Sequence, residues 1–328
     1  METSTLVAAE DLKKLFPVRS GILTSIFKTE QKFVHAVDGI SFYIEKGEIF
    51  CIVGESGCGK TTAARLLLML ERPTSGKMTF ENRDLIAMDK NELKRLRKRM
   101  QVVFQDPYGS LNPRKTVFKI ISEPLEIHSV ADTYQDKMDR VMKALEAVDI
   151  TPPETFIFKF PHELSGGQRQ RIAVARALAL EPTFIVADEP VSMIDVSMRV
   201  GILNLLQELR SRLGITILLI THDLAVARYM SDRIAVMYLG RLVEIAPADE
   251  LIQEPKHPYT RALVSAVPRV STSKVERIKL KGEVPTPIDI PSGCRFRTRC
   301  PYAESICESA DPPLREIRPQ HLVACHIA

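Results

Sequence analysis

The chain has 328 residues, 45% hydrophobic and 26% charged, which is enough to bury a large core and exceeds one average domain. Its 45 basic and 41 acidic residues leave a formal net charge of +4, a balance that gives no reason to expect a nucleic-acid partner. Apolar runs such as Leu66–Leu70 and Ile215–Ile220 fall far short of the roughly 18 to 20 residues of a membrane span. Met1–Glu10 carries acids and no basic leader, so no secretion signal is expected either.

In chain order, Glu48–Val53 is a short apolar run that predicts a buried strand. A glycine-rich loop, Gly54–Gly59, follows, and Lys60–Leu70 has helical apolar spacing. The run Gly54-Glu55-Ser56-Gly57-Cys58-Gly59-Lys60-Thr61, continuing into Thr62, fits G-x-x-x-x-G-K-[ST] between a strand and a helix. Glycines let backbone N–H groups curl around phosphate oxygens, and the helix N-terminus favours the anion. In such a loop Lys60 reaches the β and γ phosphates and the Thr61 hydroxyl coordinates Mg²⁺. Cys58 occupies a variable position, where a helix N-terminus lowers a thiol's pKa; a redox switch and a small tolerated side chain are the two readings.

Arg95–Arg99 is the densest basic run; with no aromatic residues interleaved it reads as a solvated helix face. Residues 110–180 are mostly helical in pattern and predict a helical subdomain. Within them Leu164-Ser165-Gly166-Gly167-Gln168 leads into a basic, apolar helix, a second glycine turn able to face an anion.

Thr183–Ala187 predicts a second buried strand, and Asp188 and Glu189 stand at its end. There Asp188 is placed to hold Mg²⁺, and Glu189 to orient and polarise an attacking water. Val200, Leu203, Leu206, Leu209 and Leu213 repeat at helical spacing before the stop at Gly214, and Ile215–Thr221 predicts a third strand. Strand, helix, strand is the pattern of a parallel sheet. Arg233–Tyr238 and Arg241–Ile245 predict a hairpin turning at Leu239-Gly240.

Composition shifts after about residue 250, where prolines become frequent and four of the six cysteines gather, and a domain boundary is expected near 270. Cys294-x5-Cys300-x6-Cys307-x17-Cys325 offers four thiols, and in a reducing compartment such a group suggests metal more than disulfides. Zinc and an iron–sulfur cluster both accept four cysteines, and the spacing matches the usual pattern of neither.

The motifs, taken in order, resemble those of the ATP-binding-cassette (ABC) family. Leu164–Gln168 looks like its signature motif, and Gln105 in Val103-Phe104-Gln105-Asp106-Pro107 resembles its Q-loop glutamine, linked to Mg²⁺. Ser192-Met193-Ile194-Asp195 resembles the D-loop, departing from S-A-L-D at Met193 and Ile194 while keeping Ser192 and Asp195. His222, after the third strand, resembles the switch histidine that contacts the γ phosphate. Phe16 is the choice for the adenine-stacking aromatic upstream of the P-loop, ahead of Tyr43 and Phe33.

Leu15–Val18 with an insertion after it, His35–Gly39, Phe104–Arg114 and His257–Leu263 narrow the resemblance to the oligopeptide/dipeptide importers, and to their F-type ATPase subunit. The resemblance implies an α/β P-loop NTPase cassette: a RecA-like core, an antiparallel β subdomain and a helical subdomain at about 110–180. Residues 1–270 would form this cassette and 271–328 a small cysteine-containing domain. It implies ATP with Mg²⁺ held by Thr61, Gln105 and Asp188, catalysis by Glu189, His222 and Gln105, and nucleotide contacts from Gly54–Thr62, Asp188, Asp195 and, across a dimer, Ser165–Gln168. It further implies a D-type ATPase or a second copy as partner, two transmembrane permease subunits, an extracellular substrate-binding protein and a place on the cytoplasmic face of the membrane. At the four cysteines it implies a [4Fe–4S] cluster ahead of Zn²⁺, with Arg295, Arg297 and Arg299 balancing the cluster's negative charge. Nickel and oligosaccharides are alternative cargoes. A soluble ABC ATPase of translation or DNA repair is a further class, distinguished by two cassettes or long insertions. A non-hydrolysing subunit would lack Lys60, Glu189 or His222, all of which are present.

Overall fold

The computed structural model describes residues 5–18, 31–267, 278–280 and 282–328. The strands are β1 (Thr5–Pro17), β2 (Phe33–Glu45), β3 (Ile49–Val53), β4 (Ser75–Phe80), β5 (Arg83–Asp84) and β6 (Met100–Val103) in the first part of the chain. β7 (Phe184–Asp188), β8 (Thr216–Thr221), β9 (Arg233–Tyr238), β10 (Arg241–Pro247), β11 (Arg315–Arg318) and β12 (His321–Val323) follow. The chain divides into two compact units.

One unit contains Glu45–Ile49 and Ala87–Ile220. Its strands β6, β7 and β8 run parallel, with Phe184 opposite both Met100 and Thr216. Every residue of β7 and β8 is buried, which is why both read as unbroken apolar runs and not as alternating ones. The helix Val196–Leu213 joins them, buries Ile202, Leu203, Leu205, Leu206 and Leu209, and ends at Gly214 in a left-handed conformation (φ 66°). This is the βαβ unit expected from the spacing.

The helices Val117–Ile127, Tyr134–Ala147 and Gly166–Leu178 pack on one another in the same unit. Thr116, Thr133 and Ser165 cap their N-termini through side-chain oxygens. These helices lie within residues 110–180, where a helical pattern is expected. Lys90–Leu96 is a helix whose apolar side chains Leu93 and Leu96 are buried while Lys94 and Arg95 face solvent, in line with the solvated reading of the basic run.

The other unit contains Thr5–Ile44, Phe50–Ile86 and Thr221–Ala328. β2, β1, β4 and β5 lie side by side in that order, β1 pairing antiparallel with β4. β3 pairs parallel with β9, and β9, β10, β12 and β11 continue as antiparallel neighbours. The β9–β10 hairpin turns at Leu239 (φ 43°) and Gly240 (φ 77°); two positive φ angles in a two-residue loop match the twist of the flanking strands. The boundary expected near 270 and the insertion expected after Val18 fall outside the described residues.

Candidate nucleotide site

The phosphate-loop motif sits between β3 and the helix Lys60–Leu67. A Cβ on Gly59, whose φ is 111°, would run into the Ala36 carbonyl, and one on Gly54 into the Met237 carbonyl. The loop backbone therefore lies against its own unit with no room for side chains at these two positions. Lys60 is buried, and its ammonium donates to the carbonyls of Gly54 (2.8 Å) and Glu55 (2.9 Å) from inside the loop's curl. Ser56, Gly57 and Thr61 are exposed, so the free face of the loop carries small groups and a hydroxyl at the helix N-terminus. Such a cradle fits a polyphosphate and its cation.

Cys58 is buried, and burial raises its thiol's pKa despite the nearby Lys60 ammonium. Desolvation outweighs the charge and the helix terminus, so the small-side-chain reading holds over a reactive thiolate. Its carbonyl accepts from the Gly240 N–H at 2.9 Å, which ties the loop to the β9–β10 turn.

Two contacts on this loop have no counterpart in the motif. The Glu55 N–H donates to the Tyr259 hydroxyl at 3.0 Å, and the Glu55 carboxylate accepts from both terminal nitrogens of Arg299, at 2.8 and 3.3 Å. Tyr259 lies in the His257–Leu263 stretch that carried part of the resemblance, yet nothing in that stretch discloses what its hydroxyl touches. Phe16 sits half-buried near the end of β1 with the Lys14 ammonium 4.8 Å from its ring centroid. His222 follows β8 and is exposed, next to Asp223, which caps the helix Leu224–Met230.

In the other unit, Asp188 ends β7 and is buried. Glu189 follows in a left-handed conformation (φ 47°), an uncommon geometry for a residue with a side chain and one that accompanies functional sites. Its N–H donates to the Ile220 carbonyl (2.9 Å) and its own carbonyl accepts from the Ser192 hydroxyl (3.0 Å). Its carboxylate accepts from the Gln105 amide at 3.0 Å. The structure thus brings Gln105 to Glu189 from 84 residues away, beside the local contact of Glu189 with Ser192. Asp195 precedes the helix Val196–Leu213 and makes no side-chain cap there.

Ser165 begins the signature helix with a reciprocal cap: its hydroxyl accepts from the Gln168 N–H (3.2 Å), and the Gln168 side chain accepts from the Ser165 N–H (3.0 Å). Only the Tyr108 hydroxyl, at 3.7 Å, would touch a Cβ placed on Gly166. The Arg169 guanidinium stacks on the Tyr108 ring at 4.2 Å.

The cysteine tail departs from expectation. Cys307 and Cys325 are buried, Cys294 and Cys300 half-buried, and the Cys294 N–H donates to the Cys307 carbonyl at 2.9 Å. Among the described residues, however, no group of three or more His, Cys, Asp or Glu side chains is placed to hold a metal ion. The arginines are also engaged elsewhere. Arg295 pairs with Asp38 and the Leu239 carbonyl, Arg297 bonds Ser292, and Arg299 bonds Glu55. Their guanidinium groups are thus bonded to carboxylates, carbonyls and a hydroxyl.

The phosphate loop, the aspartate–glutamate strand end and the capped signature helix together define an ABC-type ATPase subunit. The ABC transporter family model matches residues 37–192, and the oligopeptide/dipeptide transporter C-terminal region matches residues 243–307. The chain is 47% identical to the oligopeptide transport ATP-binding protein AppF of Bacillus subtilis, over 98% of this chain and 97% of that one. It is 49% identical to a putative peptide import ATP-binding protein of Brucella ovis, over 92% and 95% of the two chains. Among solved structures it resembles the ATP-binding cassette MJ0796 in a dimeric post-hydrolysis state with ADP and Pi, with a TM-score of 0.64 and 29% identity over 74% of this chain and 99% of that one. The chain belongs to the ATP-binding subunits of the oligopeptide/dipeptide ABC transporter family. No helix among the described residues is long and apolar enough to cross a membrane.

Proposed function

We propose that this subunit hydrolyses ATP to drive import of peptides through a membrane permease, from the cytoplasmic face. The naming of relatives for oligopeptide transport and for peptide import, and the match of the C-terminal region, support the cargo class. The observation that carries the chemistry is the Glu189 carboxylate, fixed by Gln105 at one end and by its own strained backbone at the other. Lys60 and the Gly54–Thr62 backbone bind the phosphates, and Phe16 stacks on the adenine. Thr61, Gln105 and Asp188 are the residues that would hold Mg²⁺, which would neutralise phosphate charge. Glu189 orients and polarises the attacking water, and His222 contacts the γ phosphate.

One phosphate loop and one signature helix per chain call for a second cassette, a D-type subunit or another copy. Ser165–Gln168 would then face the nucleotide of that second cassette, with Asp195 at the same junction. ATP closes the pair and hydrolysis reopens it, and the helical region passes the motion to two permease subunits fed by an extracellular binding protein.

The iron–sulfur cluster implied by the resemblance takes no part in these steps. Four cysteines in one small tail support it, although among the described residues no group of three or more metal-ligating side chains is assembled. Iron, sulfide and zinc analysis of anaerobically purified protein separates the readings: about four irons with sulfide, stoichiometric zinc, or neither.

The transport reading is tested in vesicles containing the complete transporter, with labelled peptides outside the binding face and ATP on the ATPase side. Peptide accumulation that requires ATP and is lost with Lys60→Ala is expected. Accumulation of nickel or an oligosaccharide and not of peptides would overturn the cargo class.

A further inference from the structure

Glu55 occupies a position that the phosphate-loop motif leaves open, and both its side chain and its backbone are bonded to other residues. Its carboxylate takes a two-pronged bond from Arg299, its N–H is committed to the Tyr259 hydroxyl, and its carbonyl accepts from the Lys60 ammonium. The residue is thus held on three sides, and its peptide plane is set by groups from far along the chain.

Those groups are rigidly mounted. Tyr259 is fully buried in the helix Pro258–Ala266. Its ring packs 4.8 Å from that of Tyr238 and 5.4 Å from that of Phe296, which in turn lies edge-on to Tyr238 at 5.3 Å. Phe296 begins the turn that presents Arg299, whose N–H donates back to the Phe296 carbonyl. Arg299 is itself buried, and its guanidinium lies 5.9 Å from the Tyr238 ring centroid. A buried guanidinium is tolerated when a carboxylate compensates it, and Glu55 is that carboxylate. The fork geometry fixes orientation as well as charge.

We propose that Arg299 and Tyr259 are positioning residues for the phosphate-binding loop, acting through Glu55 to set the carbonyls that hold Lys60. The cysteine-containing tail is therefore part of the nucleotide site's support. Neither residue touches nucleotide; each fixes the loop that does. This inference rests on the reading of Gly54–Thr62 as the ATP site.

Nucleotide affinity of the full-length chain, measured by titration with a fluorescent ATP analogue, tests it through a double-mutant cycle. Arg299→Met and Glu55→Gln are each expected to weaken binding about tenfold, the scale of one lost charge-assisted hydrogen bond. The double variant is expected to lose about tenfold as well, not a hundredfold, because both changes break the same contact. Arg299→Lys, which keeps the charge but not the fork, should recover part of the loss, and Tyr259→Phe should weaken binding with its fold intact. Arg318→Gln, at a tail arginine that pairs with Glu250 and Glu254, is the control and should bind as the parent does. If Arg299→Met does not fold, Arg299→Lys and Tyr259→Phe decide, and unchanged affinity in both overturns the proposal. Additive losses in the cycle also overturn it. Lys60→Ala, measured alongside, separates the two readings. If Lys60→Ala abolishes binding and the Glu55, Arg299 and Tyr259 variants bind normally, only the positioning role fails. If Lys60→Ala binds normally, both fall.

Discussion

The Gln105 amide donates to the Glu189 carboxylate across 3.0 Å, joining the end of β6 to the end of β7. The two strands are parallel neighbours, so residues just past their ends emerge on the same edge of the sheet. That edge is where ligands bind in open α/β sheets. The Ser192 hydroxyl completes the arrangement by holding the Glu189 carbonyl.

This pairing predicts separable effects. Glu189→Gln removes the charge that polarises water but leaves an amide of the same shape. The kcat is expected to fall by about 10²- to 10⁴-fold with ATP affinity retained. Gln105→Ala leaves the carboxylate in place but unanchored and removes one proposed Mg²⁺ ligand, so a loss of at least about tenfold is expected, the worth of one hydrogen bond to a charged group, together with a higher Mg²⁺ requirement. Steady-state ATPase rates and nucleotide titration of both variants check this, and normal turnover in Glu189→Gln would sink the assignment.

The signature helix separates stability from chemistry. Ser165→Ala deletes a reciprocal cap, at an expected cost of about 1 kcal/mol and a fall of about 2–4 °C in the melting transition. A Cβ at Gly166 meets only the Tyr108 hydroxyl among the described residues, at an ordinary contact distance of 3.7 Å, so the melting transition of Gly166→Asp should hold. Its carboxylate would repel phosphate from a facing cassette, and hydrolysis in the partner's site should be lost. Mixed dimers carrying one variant chain, assayed with thermal melts of each chain alone, distinguish the two outcomes.

Much of this architecture was legible because it rests on local rules. The strand runs Ile49–Val53, Phe184–Asp188 and Thr216–Thr221, the stop at Gly214 and the turn at Leu239-Gly240 each follow from apolar spacing or a demand for positive φ. The glycine loop was legible for the same reason. The contacts of Glu55 were not, since Tyr259 and Arg299 lie some two hundred residues away and their pairing depends on tertiary packing. Arg295 and Arg299 read as counter-charges for the cysteines beside them, because sequence proximity is visible and the partners Asp38 and Glu55 are not. The left-handed backbone of Glu189 also left no mark in the sequence.

Two glycines of the phosphate loop should respond differently to alanine. Gly59→Ala forces a Cβ against the Ala36 backbone carbonyl, which cannot swing away as a side chain would. Loss of nucleotide binding is expected, with destabilisation of about 1–3 kcal/mol. A Cβ on Gly57 meets nothing within 4 Å, so that substitution carries only the left-handed backbone penalty of about 1–2 kcal/mol. Nucleotide titration and thermal melts of the two variants check the order, and a more severe loss in Gly57→Ala would contradict the geometry.

The last prediction concerns pH and the tail strands. The His321 ring in β12 is clamped between two carboxylates, Nε2 at 2.8 Å from Glu244 and Nδ1 at 2.8 Å from Glu250. Glu244 is fully buried and also accepts the N–H groups of Lys256 and His257. Burial by itself draws the imidazole's pKa down, but the hydrogen bonds to Glu244 and Glu250 overcome it, and the net shift is upward. Glu250 is shifted the opposite way, chiefly by its bond to His321. A raised histidine pKa means that the folded state binds this proton more tightly than the unfolded chain does. Its stabilisation is fully present below the unfolded value of about 6.5 and is lost as pH rises through the folded value. The Glu250 contribution runs the other way, present above its unfolded value of about 4.3 and lost as pH falls through the lowered folded value. The pairing of β12 with β10 should therefore be firmest between about pH 4.3 and 6.5 and loosen on the alkaline side. Amide hydrogen exchange of Leu322 and Val323, corrected for the intrinsic pH dependence of exchange, should show protection falling between pH 6 and pH 8.5. His321→Gln keeps a polar side chain but cannot ionise, and it should flatten that dependence while lowering protection at pH 6. Equal pH dependence in the parent and in His321→Gln would show that the clamp does not control the tail.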